Sequence, residues 1–163
     1  MVKCCGHYVT FQEVPNEISL VLSITNCPYR CAGCHSPWLQ EDIGDELTDN
    51  EVMRLVREYK DGITCVCFMG EGTDIVALSG LIKFVCDIGL KTCLYSGRDI
   101  ATDLSQYEVY PILDYIKTGS YKQELGGLDQ PTTNQRMWKL CGFDENGVSV
   151  YEDITAWFWR KKE

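Results

Sequence analysis

Residues 18–25 read Ile-Ser-Leu-Val-Leu-Ser-Ile-Thr, and residues 26–37 continue as Asn-Cys-Pro-Tyr-Arg-Cys-Ala-Gly-Cys-His-Ser-Pro. The first stretch is apolar and rich in β-branched residues, which predicts a buried strand. The second contains two prolines and a glycine, which exclude regular structure and predict a loop at the end of that strand. Three cysteines lie in this loop with the spacing Cys-x3-Cys-x2-Cys: Cys27, Cys31 and Cys34.

Strands and helices alternate along the residues that follow. Apolar runs predict strands over 63–68, 91–95 and 111–117, and two shorter strands over 137–141 and 147–151. Helices are predicted over 48–60, where Thr48 and Glu51 form a capping box, over 74–88, which Gly89 ends, and over a short stretch near 99–106. This order predicts one α/β domain, spanning residues 1–163, with a mostly parallel sheet.

Composition narrows the possible partners and compartments. The chain has 163 residues, 45% of them hydrophobic, and a formal net charge of -9. A surplus of carboxylates disfavours binding to nucleic acid or to an anionic membrane. No run of eighteen apolar residues occurs, and the N-terminal residues lack the apolar stretch of a signal peptide. The sequence therefore predicts a cytoplasmic protein.

Ten cysteines are a high number for a chain of this length. A disulfide framework belongs to small exported chains with weak cores, so we expect free thiols in a reducing compartment. Four of these thiols fall in apolar strands or an apolar helix and are predicted to pack as small hydrophobic side chains: Cys65, Cys67, Cys86 and Cys93. Cys4 and Cys5, next to His7, fit either metal binding or reactivity and stay unassigned.

The spacing of Cys27, Cys31 and Cys34 allows three thiolates to converge on one centre at the carboxyl end of a parallel strand. Ligands of open α/β sheets bind at that edge. Three thiolates would leave one iron of an iron–sulfur cluster without a protein ligand, and an open metal position is typical of catalysis. A structural zinc site is the alternative, but His35, the nearest fourth ligand, adjoins Cys34 and is poorly placed. Three core cysteines without metal are disfavoured by the Pro, Arg and Gly between them.

The loop resembles the signature of the radical S-adenosylmethionine (SAM) enzymes. The resemblance implies that Cys27, Cys31 and Cys34 hold a [4Fe–4S] cluster whose fourth iron is chelated by SAM. Where that family usually has an aromatic residue, this chain has Gly33, as the small activating enzymes of the family often do. The fold implied is an incomplete, TIM-like α/β barrel with mostly parallel strands.

Further segments are similar to one subfamily, the activating proteins of anaerobic ribonucleoside-triphosphate reductase. Residues 95–98, 114–119 and 131–136 carry this likeness, and Gly70-Glu71-Gly72 follows the second predicted strand, where the family has a Gly-Gly-Glu turn. Two alignments of that turn are possible, and both serve the same ligand, because glycine permits close approach and a carboxylate pairs with an ammonium. The implied SAM contacts are Gly33, Cys34, His35, Gly70, Glu71, Gly72, Ser96 and Lys117.

The resemblance implies a glycyl-radical activating enzyme, an oxidoreductase. It would cleave SAM reductively to methionine and a 5′-deoxyadenosyl radical, with an electron donor such as a flavodoxin, and generate a glycyl radical on the reductase large subunit. The alternatives are an activase of another glycyl-radical enzyme (pyruvate formate-lyase type), a non-catalytic iron–sulfur electron carrier, and a metal-stabilised binding module. The polar residues 118–137 predict a long loop, and we expect residues 119–136 to contact the protein substrate.

Overall fold

The structure is a computed structural model that describes residues 1–99 and 112–159. The strands of the described residues are β1 (Lys3–Thr10), β2 (Ser19–Ile24), β3 (Asp45–Glu46), β4 (Cys65–Met69), β5 (Lys91–Tyr95), β6 (Tyr115–Thr118), β7 (Arg136–Phe143) and β8 (Ser149–Asp153). Their α-helices are α1 (Asp49–Glu58) and α2 (Ile75–Asp87), and 3-10 helices span Pro37–Gln40 and Thr155–Trp159. The predicted α/β class is confirmed.

The eight strands form one mixed sheet in the order β3-β1-β2-β4-β5-β6-β7-β8. The four central strands β2, β4, β5 and β6 run parallel, but the pairs β1–β2, β1–β3, β6–β7 and β7–β8 are antiparallel. The expectation of a mostly parallel sheet is therefore wrong outside the centre. β1 joins β2, and β7 joins β8, by a short connection that turns the chain back on itself, which only an antiparallel pair permits. Within residues 1–99 and 112–159 the sheet does not close into a barrel, and the partial TIM-like barrel that the resemblance implies is not confirmed.

Both predicted longer helices are present, and a side chain caps the start of each; the cap of α1 was predicted, and that of α2 was not. The Thr48 hydroxyl accepts a hydrogen bond from the Glu51 amide at 3.2 Å, which satisfies one of the free N–H groups in the first turn of α1. The Asp74 carboxylate accepts from the Ala77 amide at 3.1 Å at the start of α2. After α2, Gly89 has φ +89°, the left-handed conformation that ends many helices.

The central strands bury both faces of the sheet. One face carries Leu20, Leu22, Phe68 and Leu94 against the apolar sides of both helices. The opposite face carries Val21, Cys65, Cys67, Cys93, Tyr115 and Met137 and is covered by Val14, Ile154, Trp157 and Phe158. The prediction of packed thiols is confirmed for Cys65, Cys67 and Cys93, while Cys86 is only partly buried on α2.

Four connections leave the carboxyl ends of the parallel strands at one edge of the sheet. They are residues 26–36, here called the cysteine loop, the turn 70–72, the segment 96–98 and residues 119–135, here called the 119–135 loop. The 119–135 loop has no regular structure, as predicted. The fourth parallel strand begins at Tyr115 rather than at residue 111, and Pro111, the predicted helix near 99–106 and the basic residues 160–162 lie outside the described residues, apart from Asp99.

Within the described residues, no helix has both the length and the apolar character needed to cross a lipid bilayer.

Candidate functional site

The turn after β4 brings a carboxylate to the edge of the sheet between two glycines. Gly70 and Gly72 have φ +108° and +63°, which side chains other than glycine rarely allow. A Cβ at Gly70 would lie 3.1 Å from the Ile24 carbonyl oxygen, and one at Gly72 would lie 3.2 Å from that of Thr25. The glycines therefore let the turn pack against the end of β2, and they direct Glu71 into the space between the strand ends.

Glu71 is buried, at 4% exposure, and its carboxylate accepts hydrogen bonds from three side chains. The Tyr29 hydroxyl of the cysteine loop donates to Oε2 at 3.2 Å, and the Ser96 hydroxyl donates to Oε1. Arg98 donates from Nε to both oxygens, at 3.1 and 3.3 Å. A buried carboxylate is stable only when donors and a counter-charge surround it, and Arg98 supplies that charge here.

Lys117, at the end of β6, lies beside this cluster. Its Nζ donates to the carbonyl oxygens of Ser96 and Gly119 at 3.1 and 2.7 Å. Burial lowers the pKa of Lys117 to about 8, while the negative charges available at Cys31, Cys27, Cys34 and Glu71 oppose that shift. One buried amine therefore lies within electrostatic range of all three loop cysteines and of Glu71.

The three cysteine thiols of the loop are partly buried and influence one another. Burial raises the pKa of Cys27, and repulsion from the thiolates of Cys31 and Cys34 raises it further. No three His, Cys, Asp or Glu side chains within residues 1–99 and 112–159 are grouped closely enough to hold a metal ion, the loop cysteines included. Thiols are weak hydrogen-bond donors and acceptors, so the loop's own contacts do not draw the sulfurs onto one centre as the spacing predicts.

The far side of the cysteine loop contacts the 119–135 loop. The rings of His35 and Tyr121 meet edge to face with centroids 4.9 Å apart. Gly33 has φ +72°, and a Cβ there would lie 3.1 Å from the side chain of Gln123. His35 therefore packs against an aromatic ring beside Cys34, and the 119–135 loop covers the part of the cysteine loop that includes Gly33, Cys34 and His35.

The structure brings the sequence-predicted residues together in two neighbouring groups. Glu71 and Ser96 are hydrogen-bonded, Lys117 binds the Ser96 carbonyl, and Gly70 and Gly72 shape the turn that carries Glu71. Gly33, Cys34 and His35 lie on the cysteine loop beneath Tyr121 and Gln123. The rule that the carboxyl ends of parallel strands share one edge accounts for this assembly.

Sequence reasoning missed Tyr29, Arg98, Tyr121 and Gln123 as individual contacts. Tyr29 lies between two of the cysteines, and Arg98 lies two residues after Ser96, so both were near a predicted site residue. Their partners depend on how two loops pack, which spacing along the chain does not encode.

Cys4, Cys5 and His7 lie on β1, where Cys4 pairs with Ile24, the last residue of β2. They line a cavity of about 440 Å³ between β1, β3 and the start of α1, together with Glu51 and other residues. Burial raises the pKa of Cys4, with smaller contributions of the same sign from Cys5 and Glu51.

Comparison of the chain with protein-family models, with curated proteins and with solved structures gives no match.

Proposed function

We propose that this protein is a radical SAM activating enzyme that generates a glycyl radical on an anaerobic ribonucleoside-triphosphate reductase. The observation that carries the proposal is the shared location of a three-cysteine loop, a buried carboxylate and a buried lysine at the carboxyl edge of four parallel strands. Open α/β sheets bind their ligands at this edge. The parallel centre, with its helices packed on one face, also suits an incomplete barrel of the radical SAM type.

The donor chemistry of the cysteine loop fits an iron–sulfur cluster. Cys27, Cys31 and Cys34 are free thiols, partly buried, and near the Lys117 ammonium, whose charge offsets that of thiolate ligands. His35 adjoins Cys34 in the chain and packs against Tyr121, which favours three thiols over four ligands. In the proposed enzyme these three cysteines hold a [4Fe–4S] cluster with one iron free for SAM.

The remaining residues of the edge have separate roles in the proposed site. Gly70 and Gly72 hold the turn against the end of β2 and so set the position of Glu71, which would face the amino group of SAM. Ser96 would face the ribose or carboxylate of SAM, and Lys117 its carboxylate. Gly33, Cys34 and His35 form the adjoining wall. When bound, the reduced cluster supplies one electron that cleaves SAM to methionine and a 5′-deoxyadenosyl radical.

The 119–135 loop supports a protein rather than a small molecule as the final substrate. It lies over the cysteine loop through Tyr121 and Gln123, at the place where a segment of a partner would have to reach the site. A radical site must admit its substrate and still exclude water, and loops at its mouth serve both purposes. The partner proposed is the large subunit of the reductase, with a flavodoxin-type electron donor.

Cysteine variants test the cluster assignment. After anaerobic reconstitution, we expect about four iron atoms per wild-type chain and close to none in Cys27→Ala, Cys31→Ala or Cys34→Ala, because each thiolate binds one iron. Cys86→Ala is the matched control, since Cys86 lies partly buried on α2, and it should keep its iron. Full iron content in Cys31→Ala would refute the assignment.

The effect of SAM on the cluster distinguishes the proposed enzyme from a non-catalytic electron carrier of the same fold. Such a carrier would hold a cluster that SAM does not perturb, while the proposed enzyme would hold one that it does. An activase of a pyruvate formate-lyase type would pass this test, and glycyl-radical formation on each candidate partner distinguishes the two activases.

A further inference from the structure

We propose that Tyr29 is a positioning residue that fastens the cysteine loop to the ends of β4 and β5. Its relevance to iron binding rests on the proposed function, but the contact itself is a property of the chain. Tyr29 lies midway between Cys27 and Cys31, so a fixed Tyr29 limits where both thiols can lie.

The hydroxyl of Tyr29 makes the first of two contacts. It donates to Oε2 of Glu71 at 3.2 Å, across 42 residues of chain. Glu71 is itself held by Ser96 and Arg98, so the position of the acceptor does not depend on the cysteine loop alone. Hydrogen bonds to a charged and buried group are stronger than those between neutral groups.

The ring of Tyr29 makes the second contact, against the backbone of Gly97. A Cβ at Gly97 would lie 2.5 Å from Cδ2 and 2.6 Å from Cγ of the ring, closer than real atoms approach. The φ angle of Gly97 is not in the left-handed region, so its backbone accommodates other residues. The absence of a side chain at this position therefore serves the ring of Tyr29 and not the turn.

The start of the cysteine loop and Tyr29 are held by different parts of the chain. Residues at the start of the loop are tied to the chain beyond the loop, through Asn26 N–H to the Glu41 carbonyl at 3.2 Å and Cys27 N–H to the Leu39 carbonyl at 2.8 Å. Tyr29 instead connects the loop to the residues that follow β4 and β5. Removing this tie should loosen Cys31 more than Cys27, whose N–H stays bonded to the Leu39 carbonyl, while the sheet beneath them stays folded.

Thiol alkylation of the iron-free, full-length chain tests the tie. The probe is iodoacetamide, and the modification of each cysteine is followed by mass spectrometry of peptides. Tyr29→Phe keeps the ring and removes the hydrogen bond, and Gly97→Ala displaces the ring. In both variants we expect Cys31 to be modified about tenfold faster, the factor that corresponds to losing one hydrogen bond to a charged group, and Cys27 to be modified faster by a smaller factor.

Two variants serve as matched controls. Tyr8→Phe removes a hydroxyl from an exposed tyrosine, and Gly80→Ala adds a methyl group where nothing lies within 4 Å. Neither should alter the labelling of Cys27 or Cys31, and the exposed Cys141 provides an internal reference rate in every sample. A cooperative melting transition in each variant shows that it is folded, and if Gly97→Ala fails to fold, Tyr29→Phe alone decides.

Unchanged labelling of Cys27 and Cys31 in folded Tyr29→Phe would overturn the proposal. Because the measurement uses iron-free protein, its outcome does not depend on cluster assembly. Faster labelling in the Tyr29→Phe variant would support the tie. If the wild type also took up no iron, the tie would stand and the proposed function would be refuted.

Discussion

At the scale of single residues, Lys117 gives the clearest pH-dependent prediction. It is buried at 8% exposure, and burial lowers its pKa from 10.5 to about 8. Between these two pH values the unfolded chain holds a proton that the folded chain has released, so the free energy of unfolding rises with pH. The shift corresponds to roughly 3 kcal/mol, which opposes folding in full below pH 8 and disappears above pH 10.5.

Lys117→Met isolates this contribution, because methionine has a similar length and no charge. We expect the unfolding free energy of the wild type, minus that of Lys117→Met, to rise from pH 7.5 to pH 10.5 by roughly 3 kcal/mol. Urea titrations at several pH values measure this difference, in which most contributions of other groups cancel. A difference that stays constant or falls with pH would show that Lys117 is not buried as described.

The site residues show what sequence reasoning reaches at this scale. Glu71 and Ser96 each follow a predicted parallel strand and Lys117 lies at the end of one, and strand ends share one edge, so their meeting was predictable. The donation from Tyr29 to Glu71 was not, because it depends on how a loop without regular structure folds over its neighbours. The sequence likewise placed the three cysteines correctly in one loop, but the convergence of their sulfurs that the spacing predicts is not seen among the described residues.

At the scale of elements, β1 was missed for a physical reason. Its residues Lys3–Thr10 show no apolar alternation, because most of them are exposed or only partly buried. The strand forms because its backbone pairs with β2, for example Val9 with Leu20, and a bulge between Cys4 and His7 shifts the register. A strand near the edge of the sheet that is stabilised by pairing rather than burial leaves a weak pattern in the sequence, whereas β2 and β4 were found from their apolar runs.

The cap of α1 can be tested by one substitution. Thr48→Ala removes the hydroxyl that accepts from the Glu51 amide, and we expect it to lower the free energy of unfolding by about 1 kcal/mol. Denaturant unfolding monitored by circular dichroism measures the loss. Thr48→Ser, which keeps the hydroxyl, should stay within a few tenths of a kcal/mol of the wild type. An unchanged midpoint in Thr48→Ala would mean that the cap does not contribute to stability.

Hydrogen bonds and packing hold the 119–135 loop in place in the chain without a partner. This limits how much further ordering we expect when a partner binds. Thr132 and Thr133 donate side-chain hydrogen bonds to the Leu125 and Gly126 carbonyls at 2.6 and 3.0 Å, and Leu128 packs against the second face of the sheet. The loop thus contains internal hydrogen bonds that its polar composition does not predict. The loop therefore need not become ordered from a fully flexible state when a partner binds.

We still expect residues 119–136 to contact the reductase. Hydrogen exchange of this stretch, measured with and without the reductase large subunit, should slow several-fold in the complex. The turn between β7 and β8, residues 144–148, provides a comparison within the same chain. If the complex forms and protection of 119–136 does not change, the loop does not contact the partner.

At the scale of the whole molecule, the apolar core and the polar cluster occupy different parts of the sheet. Its two buried faces hold the helices on one side and the C-terminal segment on the other, while the polar cluster occupies only the carboxyl edge of β2, β4, β5 and β6. The parallel direction of these four strands followed from the alternation of strands and helices. The antiparallel flanks did not, because a strand predicted from its composition carries no sign of its direction.

The electron paramagnetic resonance spectrum of the reconstituted, reduced protein, recorded with and without SAM, bears on the proposed function as a whole. If three cysteines hold the cluster and SAM binds its open iron, saturating SAM should shift the signal of the wild type and of Cys86→Ala alike. A [4Fe–4S] signal that is identical with and without saturating SAM would contradict the proposal.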